Sequence, residues 1–296
     1  SLIYERLGNY AFADYFFGVI LVIFTFYLTL SEYGKAIPLL ALIALIYAYW
    51  GNLFPGFLYH QGMSITRIIA VSSTEFNAGD GVLGALPQIG ITWIAIFSIY
   101  AGVAFAFGVL DYIMKISYNF FHKYRYGVPQ IAVVASLIFG SFSGSGAANV
   151  AGTGSFTIPL MKKYGIPPQI AGAIESVASS GGQVMPPVMG AAAFLMASYL
   201  GMYYWQIALL GFLPALIFYV CVGLSVYLLS LQFMKNITSE KGDSKQAKLT
   251  AADILQGLPL VISIIVLFVA MAVFLLDVMV AGFFMILSFL ATWIIL

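Results

Sequence analysis

Polar side chains and helix-breaking residues are concentrated in two short segments of an otherwise apolar chain. The segments are GSFSGSGAANVAGTGS, at Gly140 to Ser155, and SSGGQVMPP, at Ser179 to Pro187, and neither contains a charged residue. In hydrocarbon an unpaired backbone group costs several kcal/mol, so an interrupted helix is tolerated there only where protein covers it or where it lines a polar cavity. These segments could therefore bind a ligand through backbone groups, hydroxyls and amides.

The first segment has the composition of a hairpin tip, where one short helix ends and another begins. Free carbonyls at the end of the first helix carry partial negative charge, and free N–H groups at the start of the next carry partial positive charge. The carbonyls can coordinate a cation, and the N–H groups can hold an anion. Neutral oxygens and an amide accompany them at Ser143, Ser145, Asn149, Thr153 and Ser155.

The second segment repeats this arrangement within one apolar run. Ser179 to Gly182 would end one half-helix, and Pro186 with Pro187 suit the first turn of the next, where N–H groups have no helical partner. Gln183 is the long polar side chain between them. Carbonyl and hydroxyl oxygens suit a hard alkali cation such as sodium, and the sequence shows no His, Cys and carboxylate cluster for a transition metal.

Glu175 is the carboxylate nearest to these two segments. An ionisable residue inside a membrane is a candidate for function. Glu175 follows Pro168 by only about two helical turns, or roughly 10 Å of helical rise. We therefore expect water or a lysine side chain to reach Glu175. A direct role of Glu175 in the site is the less favoured interpretation.

The elements that must position these segments are apolar helices. Of the 296 residues, 62% are hydrophobic and 8% are charged, and the mean hydropathy is +1.01. These values predict an all-α polytopic membrane protein. The net charge of +1 and the lack of a long basic run exclude a nucleic-acid footprint.

Apolar runs comparable to the bilayer core, about 30 Å or roughly 20 residues, lie at 11–30, 37–54, 88–110, 129–142, 168–200, 205–231, 254–276 and 278–296.

The fourth run is too short to cross the membrane before its Gly/Ser break. Apolar residues resume after the break and stop at Lys162 and Lys163, which predicts a re-entrant hairpin over 129–161. In short loops, basic residues collect on the cytoplasmic side. Lys123 precedes the hairpin, and Lys162 and Lys163 follow it. Both ends of the hairpin should therefore face the cytoplasm, and the next run predicts a discontinuous helix over 168–199.

The predicted organisation has four parts. Residues 1–63 form N-terminal spans, and 64–231 carry the hairpin and the discontinuous helix. A cytoplasmic linker with several lysines follows at 232–252, and 253–296 begin another block of spans. The chain opens without Met and stops inside an apolar run, so we interpret it as part of a larger protein.

The run GSFSGSGAANVAGTGSFTIPLMKKYGIPPQIAGAIESVASSGGQVMPPVMGAAAFLMA resembles the large membrane subunit of tripartite ATP-independent periplasmic (TRAP) transporters, most closely the fused permeases of the TAXI class. The similarity is specific between Ile131 and Leu200 and looser from Ser64 to Gln130. It implies an elevator-type fold with inverted repeats, each holding a hairpin and a broken helix. This chain would hold the first repeat, and residues 1–63 would match the fused small-subunit and arm helices.

The resemblance also implies a function. It implies uptake of small organic acids, dicarboxylates or related carboxylates, across a bacterial inner membrane, driven by sodium or protons. The implied partners are a periplasmic solute-binding protein, membrane lipid and the remaining half of the permease, and no further cofactor is expected. Residues matching the family's sodium-binding positions are Ser143, Ser145, Gly182, Met185 and Pro187. Substrate is expected at Asn149, Thr153, Ser180 and Gln183.

Other interpretations stay open. Small residues could serve close helix packing alone, although this leaves Asn149, the hydroxyls and the second break unexplained. Opened backbone also builds selectivity filters, so an ion channel is the alternative function, and a non-transporting membrane scaffold is another. An enzyme is disfavoured, because the spans show no Ser/His, paired-Asp or metal-ligand constellation.

Overall fold

The computed structural model of the protein describes residues 10–74, 81, 84–124, 126–233 and 251–296, and the regular secondary structure of these residues is helical. This confirms the predicted all-α class. Six of the described helices are long and apolar enough to cross a membrane, judged by length and composition. They are Phe12–Tyr33, Ala36–Leu53, Pro87–Ala106, Tyr204–Phe233, Leu255–Ala272 and Val278–Ile295.

The chain divides into two compact units, residues 1–91 and 92–296. In the first unit, a turn at Gly34 joins α1 (Phe12–Tyr33) to α2 (Ala36–Trp50). A short helix α3 (Ile65–Ile69) continues into a π-helical turn at Ala70–Thr74. Most large apolar side chains of α1 and α2 are exposed, which is typical of helices that face lipid.

The remaining helices include those that carry the two polar segments. Their bounds are α4 (Ala85–Ile89), α5 (Ala95–Ala106), α6 (Val109–Phe121), α7 (Val128–Ser143), α8 (Gly146–Lys163), α9 (Pro168–Gly181), α10 (Ala191–Leu200), α11 (Tyr204–Phe233), α12 (Ala251–Ala272) and α13 (Val278–Ile295). The predicted linker at 232–252 lies almost wholly outside the described residues.

Helices α7 and α8 form a hairpin. Only Gly144 and Ser145 separate them, and contacts such as that between Ser136 and Thr153 show that the two helices run antiparallel. With 16 and 18 residues, the arms are about 24 and 27 Å long, less than the roughly 30 Å of a bilayer core. The structure thus contains the predicted helical hairpin, and its entry and exit on one membrane face stay a prediction.

Helix α9 packs against both arms of the hairpin. The Ser179 hydroxyl oxygen lies 3.4 Å from that of Ser136 on α7. A turn further, the Cα of Gly182 is in close contact with Gly140 of α7. The two helices are therefore parallel, and α8 is antiparallel to both. We call these three helices the α7–α9 bundle, and its tip is the end at which α7 and α9 finish and α8 begins.

Helix α11 runs along the α7–α9 bundle. The Gln130 Nε2 atom donates to the Gly223 carbonyl at 2.7 Å, and the Tyr219 hydroxyl donates to the Ala178 carbonyl at 3.0 Å. Apolar residues from the bundle, the following turn and α11 complete the core, namely Ala132, Val133, Met161, Ile166, Ala171, Ile174, Ala178, Tyr219, Val222 and Val226.

Candidate binding site on interrupted helices

The hairpin tip is a tight turn that requires glycine. Gly144 has φ +61°, in the left-handed region, and its N–H donates to the Gly140 carbonyl at 3.1 Å, which ends α7. The Ser145 hydroxyl accepts from the N–H of Ala148 at 3.3 Å and so caps the start of α8. A methyl group built on Gly144 would lie 2.1 Å from the Met189 carbonyl oxygen, so the second segment packs directly on the tip.

The second segment interrupts a helix, as predicted. Helix α9 ends at Gly181, and α10 begins only at Ala191. Within the connection, the Gly190 N–H donates to the Gln183 carbonyl at 2.7 Å. Residues 182–190 are therefore an ordered loop and not a kinked continuation of the helix.

The two prolines do not start the second half-helix, so that detail of the prediction was wrong. Pro186 and Pro187 are buried inside the connection, four or more residues before α10. The Tyr204 hydroxyl donates to the Pro187 carbonyl at 3.0 Å and also contacts the Val188 carbonyl. A tertiary contact from α11 thus holds this stretch as a series of turns, although proline in general suits the first turn of a helix.

The two interruptions meet in space. The Val188 N–H donates to the Ser141 carbonyl on α7 at 2.9 Å, which joins the connection to the hairpin. The backbones also approach closely at Gly140 and Gly182, where a methyl group on the first would lie 2.5 Å from the Cα of the second. We call this region, formed by the hairpin tip and residues 182–190, the junction.

The residues predicted to bind an ion lie around the junction with different exposures. Gly182 and Pro187 are buried, Met185 is half-buried, and Ser145 is exposed. The Ser143 hydroxyl is buried and has no hydrogen-bond partner within the described part of the chain. A buried hydroxyl without a partner is costly, so Ser143 is the predicted ion residue with unused binding capacity.

The residues predicted to bind substrate fall into two groups. Gln183 is exposed and lies against the first turn of α8. Ser180 is also exposed, and its hydroxyl donates to the Ser176 carbonyl at 2.7 Å. Asn149 and Thr153 are instead fully buried inside the α7–α9 bundle. The structure brings Gln183 to the junction. Asn149 and Thr153 lie instead where they contact neighbouring helices.

The Asn149 amide holds the three helices of the bundle together. Its Nδ2 atom donates to the Ser136 carbonyl of α7 at 2.8 Å and lies 3.4 Å from the Ser179 carbonyl of α9. The Ser179 carbonyl lies in the last turn of α9, where intrahelical partners become scarce, and the Ser136 carbonyl lies in the middle of α7. Asn149 therefore supplies a donor that apolar neighbours could not.

A carboxyl group lies at the centre of the bundle. Glu175 of α9 is 0% exposed, and neutral hydroxyls from all three helices bond to it. Its Oε1 atom accepts from Ser136 and from Ser179, each at 3.0 Å. The Thr153 hydroxyl also contacts Oε1, and the Thr157 hydroxyl contacts Oε2. We call these four hydroxyls the hydroxyl cage.

The expectation that water or a lysine would reach Glu175 was wrong, because the hairpin covers this face of α9. A signal for its burial was present in the sequence. Asn149, Thr153 and Thr157 recur at intervals of four and so form one polar stripe on α8, and Glu175 with Ser179 forms a matching stripe on α9. In apolar surroundings, such stripes are stable only when they face each other.

A cavity of about 400 Å³ lies elsewhere, near the chain segments that join α10 to α11 and α12 to α13. Its lining includes Trp93, Trp205 and Asp277, but the Asp277 carboxylate accepts the Met279 N–H at 2.8 Å as the cap of α13. The described residues contain no group of three or more His, Cys, Asp or Glu that could hold a metal ion. We therefore assign the candidate site to the junction.

Interrupted helices that meet at a polar junction, carried by apolar spans, define an integral membrane protein of the kind found among secondary transporters. The chain belongs to the family described as "Tripartite ATP-independent periplasmic transporter, DctM component", which matches residues 19–295. This is a family of inner-membrane transporter components and not of enzymes.

The chain is also similar to "Uncharacterized protein y4mL" of Sinorhizobium fredii, with 29% identity over 119 residues. The match covers 38% of this chain and 28% of that relative, so the chain spans well under two thirds of the length of the curated protein it matches.

Proposed function

We propose that the chain is a membrane permease part of a TRAP-type secondary transporter that imports small organic acids. Family membership supports the permease role, and the resemblance to fused TAXI-class permeases supports carboxylates as the substrate class. In this proposal a periplasmic binding protein delivers the acid. A further permease half completes the site.

The contact between the two interruptions is the observation that carries the proposal. The ends of α7 and α9, with partial negative charge, meet the starts of α8 and α10, with partial positive charge. Such a junction accommodates a cation and a carboxylate together without a charged side chain. Gln183, exposed beside the start of α8, is placed to donate to the carboxylate.

The proposed coupling ion is sodium at the junction, with a proton as the alternative. Its ligands would be the Ser143 hydroxyl and oxygens of Ser145, Gly182, Met185 and Pro187. The unpartnered Ser143 hydroxyl supports this assignment. The Pro187 carbonyl already accepts from Tyr204, and a carbonyl oxygen has a second lone pair for an ion.

The proposed mechanism is alternating access by an elevator motion. The α7–α9 bundle would move as one body past a scaffold that includes α11 and would expose the junction to each side in turn. Hydrogen bonds that link all three helices, centred on Asn149 and Glu175, support a rigid bundle. The motion itself is inferred from the family resemblance.

The test is uptake by the complete permease that contains this chain, reconstituted in lipid vesicles with its binding protein and labelled short dicarboxylates. We expect uptake that requires the binding protein and increases with an inward sodium gradient. The Gln183→Ala variant should reduce uptake about tenfold or more, the cost of one hydrogen bond to a charged group. Ser225→Ala is the matched control, since this exposed hydroxyl bonds to the Cys221 carbonyl on its own helix.

Several results would contradict parts of the proposal. Uptake that follows a pH gradient and ignores sodium would make the proton the coupling ion. Currents far above carrier turnover would favour the channel alternative. Unchanged uptake after Ser145, Asn149 and Gln183 are together replaced by Ala would remove the binding-site assignment.

A further inference from the structure

The hydroxyl cage can satisfy Glu175 in its ionised form. When the carboxyl group is ionised, Ser136, Ser179 and Thr153 can all donate to Oε1, and Thr157 can donate to Oε2. Hydrogen bonds from neutral donors stabilise a buried carboxylate that burial alone would disfavour.

The cage can satisfy the protonated form equally well. The Thr153 hydroxyl also lies 2.8 Å from the Asn149 carbonyl, and the Thr157 hydroxyl lies 3.0 Å from the Thr153 carbonyl. Each threonine can therefore turn its hydrogen toward its own helix, a bond common for Thr in helices. The Thr157 oxygen then becomes an acceptor for a proton on Glu175, and only hydroxyl hydrogens have to rotate.

The surroundings of Glu175 offer no permanent positive partner. Among the described residues, no Lys, Arg or His pairs with it. An ionisable group on the packed helix α11 is Tyr219, whose hydroxyl donates to the Ala178 carbonyl at 3.0 Å. On α8, Lys162 and Lys163 are exposed at the far end of the helix. Any neutralisation of Glu175 inside the bundle would therefore come from a mobile cation.

We propose that Glu175 is a proton-binding site of this permease, separate from the junction. The carboxylate takes up one proton to become the carboxylic acid and later releases it to water, and no other reactant takes part. A sodium ion would need space between the carboxylate and the four hydroxyl oxygens, which already lie at hydrogen-bond distance from it. A proton needs no added space, which is why the cage favours it.

Proton binding here would couple to the bundle that carries the junction. The ionised group accepts bonds from both arms of the hairpin, whereas in the protonated form Thr157 accepts from Glu175 and both threonines can donate within α8. The proton would thereby change how strongly α9 is tied to the hairpin. This transport consequence rests on the proposed function, but the protonation itself does not.

The direct test is infrared difference spectroscopy of the purified protein in lipid discs during a pH titration. We expect a C=O stretching band of a protonated carboxyl group that grows as the pH falls. The band should be absent from Glu175→Gln and retained by Glu32→Gln, the same change at an exposed position of α1. A titration with no band dependent on Glu175 at any pH where the protein stays folded would overturn the proposal.

A second variant separates a proton site from a purely structural glutamate. Thr157→Val removes the hydroxyl that contacts Oε2 and that would accept the proton of the carboxylic acid, so the C=O band of Glu175 should move to a higher frequency. Thr157→Ser should restore it. An unchanged band in Thr157→Val, or a band that responds to sodium at fixed pH and not to pH, would contradict the assignment.

Transport provides the remaining readout. Glu175→Gln, which imitates the protonated form, should lose uptake driven by a pH gradient, and Glu32→Gln should keep it. If the unmodified permease transports no acid under any gradient, the proposed function fails. The infrared titration still decides whether Glu175 binds a proton.

Discussion

At the scale of single residues, several polar side chains of the α7–α9 bundle form hydrogen bonds that join one helix to another. Asn149 is fully buried and reaches backbone carbonyls on the two neighbouring helices. A buried amide that bonds to two helices is a structural link as well as a candidate for binding, and the two roles make different predictions.

Replacing Asn149 by Ala should destabilise the protein. The change removes the buried bond to the Ser136 carbonyl and the contact with the Ser179 carbonyl, at an expected cost of about 1–3 kcal/mol. Thermal unfolding in detergent should show a lower midpoint. Ser155→Ala, whose exposed hydroxyl bonds to the Gly152 carbonyl on the same helix, should change stability by about 0.5 kcal/mol or less. Equal midpoints for both variants would show that Asn149 does not link the helices.

The positions of some polar residues could be predicted from the sequence, and the burial of Glu175 could not. Types and spacing identify Ser143 and Gln183 as polar groups in a hairpin and a helix break, and the structure places them at or beside the junction. Burial of Glu175 was missed because distance from a helix start does not reveal which element packs over that turn. Only the pairing of two polar stripes could have indicated it.

At the scale of elements, α7 and the connection after α9 are in direct backbone contact. Gly140 of α7 and Gly182 after α9 each lie where a methyl group would come within about 2.6 Å of the other's Cα. Backbone atoms cannot rotate aside as a flexible side chain does. Glycine at these positions therefore sets the distance between the hairpin and the broken helix.

Gly140→Ala should weaken this packing. Its added methyl would lie 2.5 Å from the Cα of Gly182 and 2.7 Å from the Asn149 amide nitrogen. Overpacking of this kind typically costs about 1–3 kcal/mol, so the unfolding midpoint should fall.

Gly172→Ala is the matched control for that prediction. Gly172 lies within α9, and a methyl group built on it meets nothing within 4 Å. Replacement of a helical glycine by alanine should there stabilise the protein by up to about 1 kcal/mol. A rise in the midpoint for both variants would mean that the two interruptions are not in tight contact.

The boundaries of elements could be predicted to within a few residues. Gly144 and Ser145 mark the hairpin turn, since a left-handed glycine followed by a capping serine ends one helix and starts another. The start of α10 was placed too early. Proline suits a helix start in general, but here Tyr204 binds the carbonyl of Pro187 and the helix begins after Gly190.

At the scale of the whole molecule, the hairpin determines on which side of the membrane each later loop lies. If both arms enter from the cytoplasm, the lysines on its two flanks lie on the same side. If the chain instead crossed there, one flank would face the periplasm, contrary to the distribution of basic residues. The antiparallel packing of α7 and α8 brings the two flanks to the same end of the bundle.

Labelling of single cysteines should confirm this topology. In a Cys221→Ala background, Lys123→Cys and Lys163→Cys should react with an impermeant maleimide only when it is added from the cytoplasmic side. Tyr203→Cys should react only from the opposite side. All three positions are exposed. Reaction of the two lysine positions from opposite sides would exclude a re-entrant hairpin.

The polar bonds between α11 and the α7–α9 bundle have a consequence for alignment. Gln130 donates to the Gly223 carbonyl, and Tyr219 donates to the Ala178 carbonyl. Backbone carbonyls recur at every residue of a helix, with a full turn every 5.4 Å or so, so these donors meet equivalent acceptors at more than one axial position. The bonds therefore fix the lateral spacing of α11 but leave its register along the bundle to the apolar side chains.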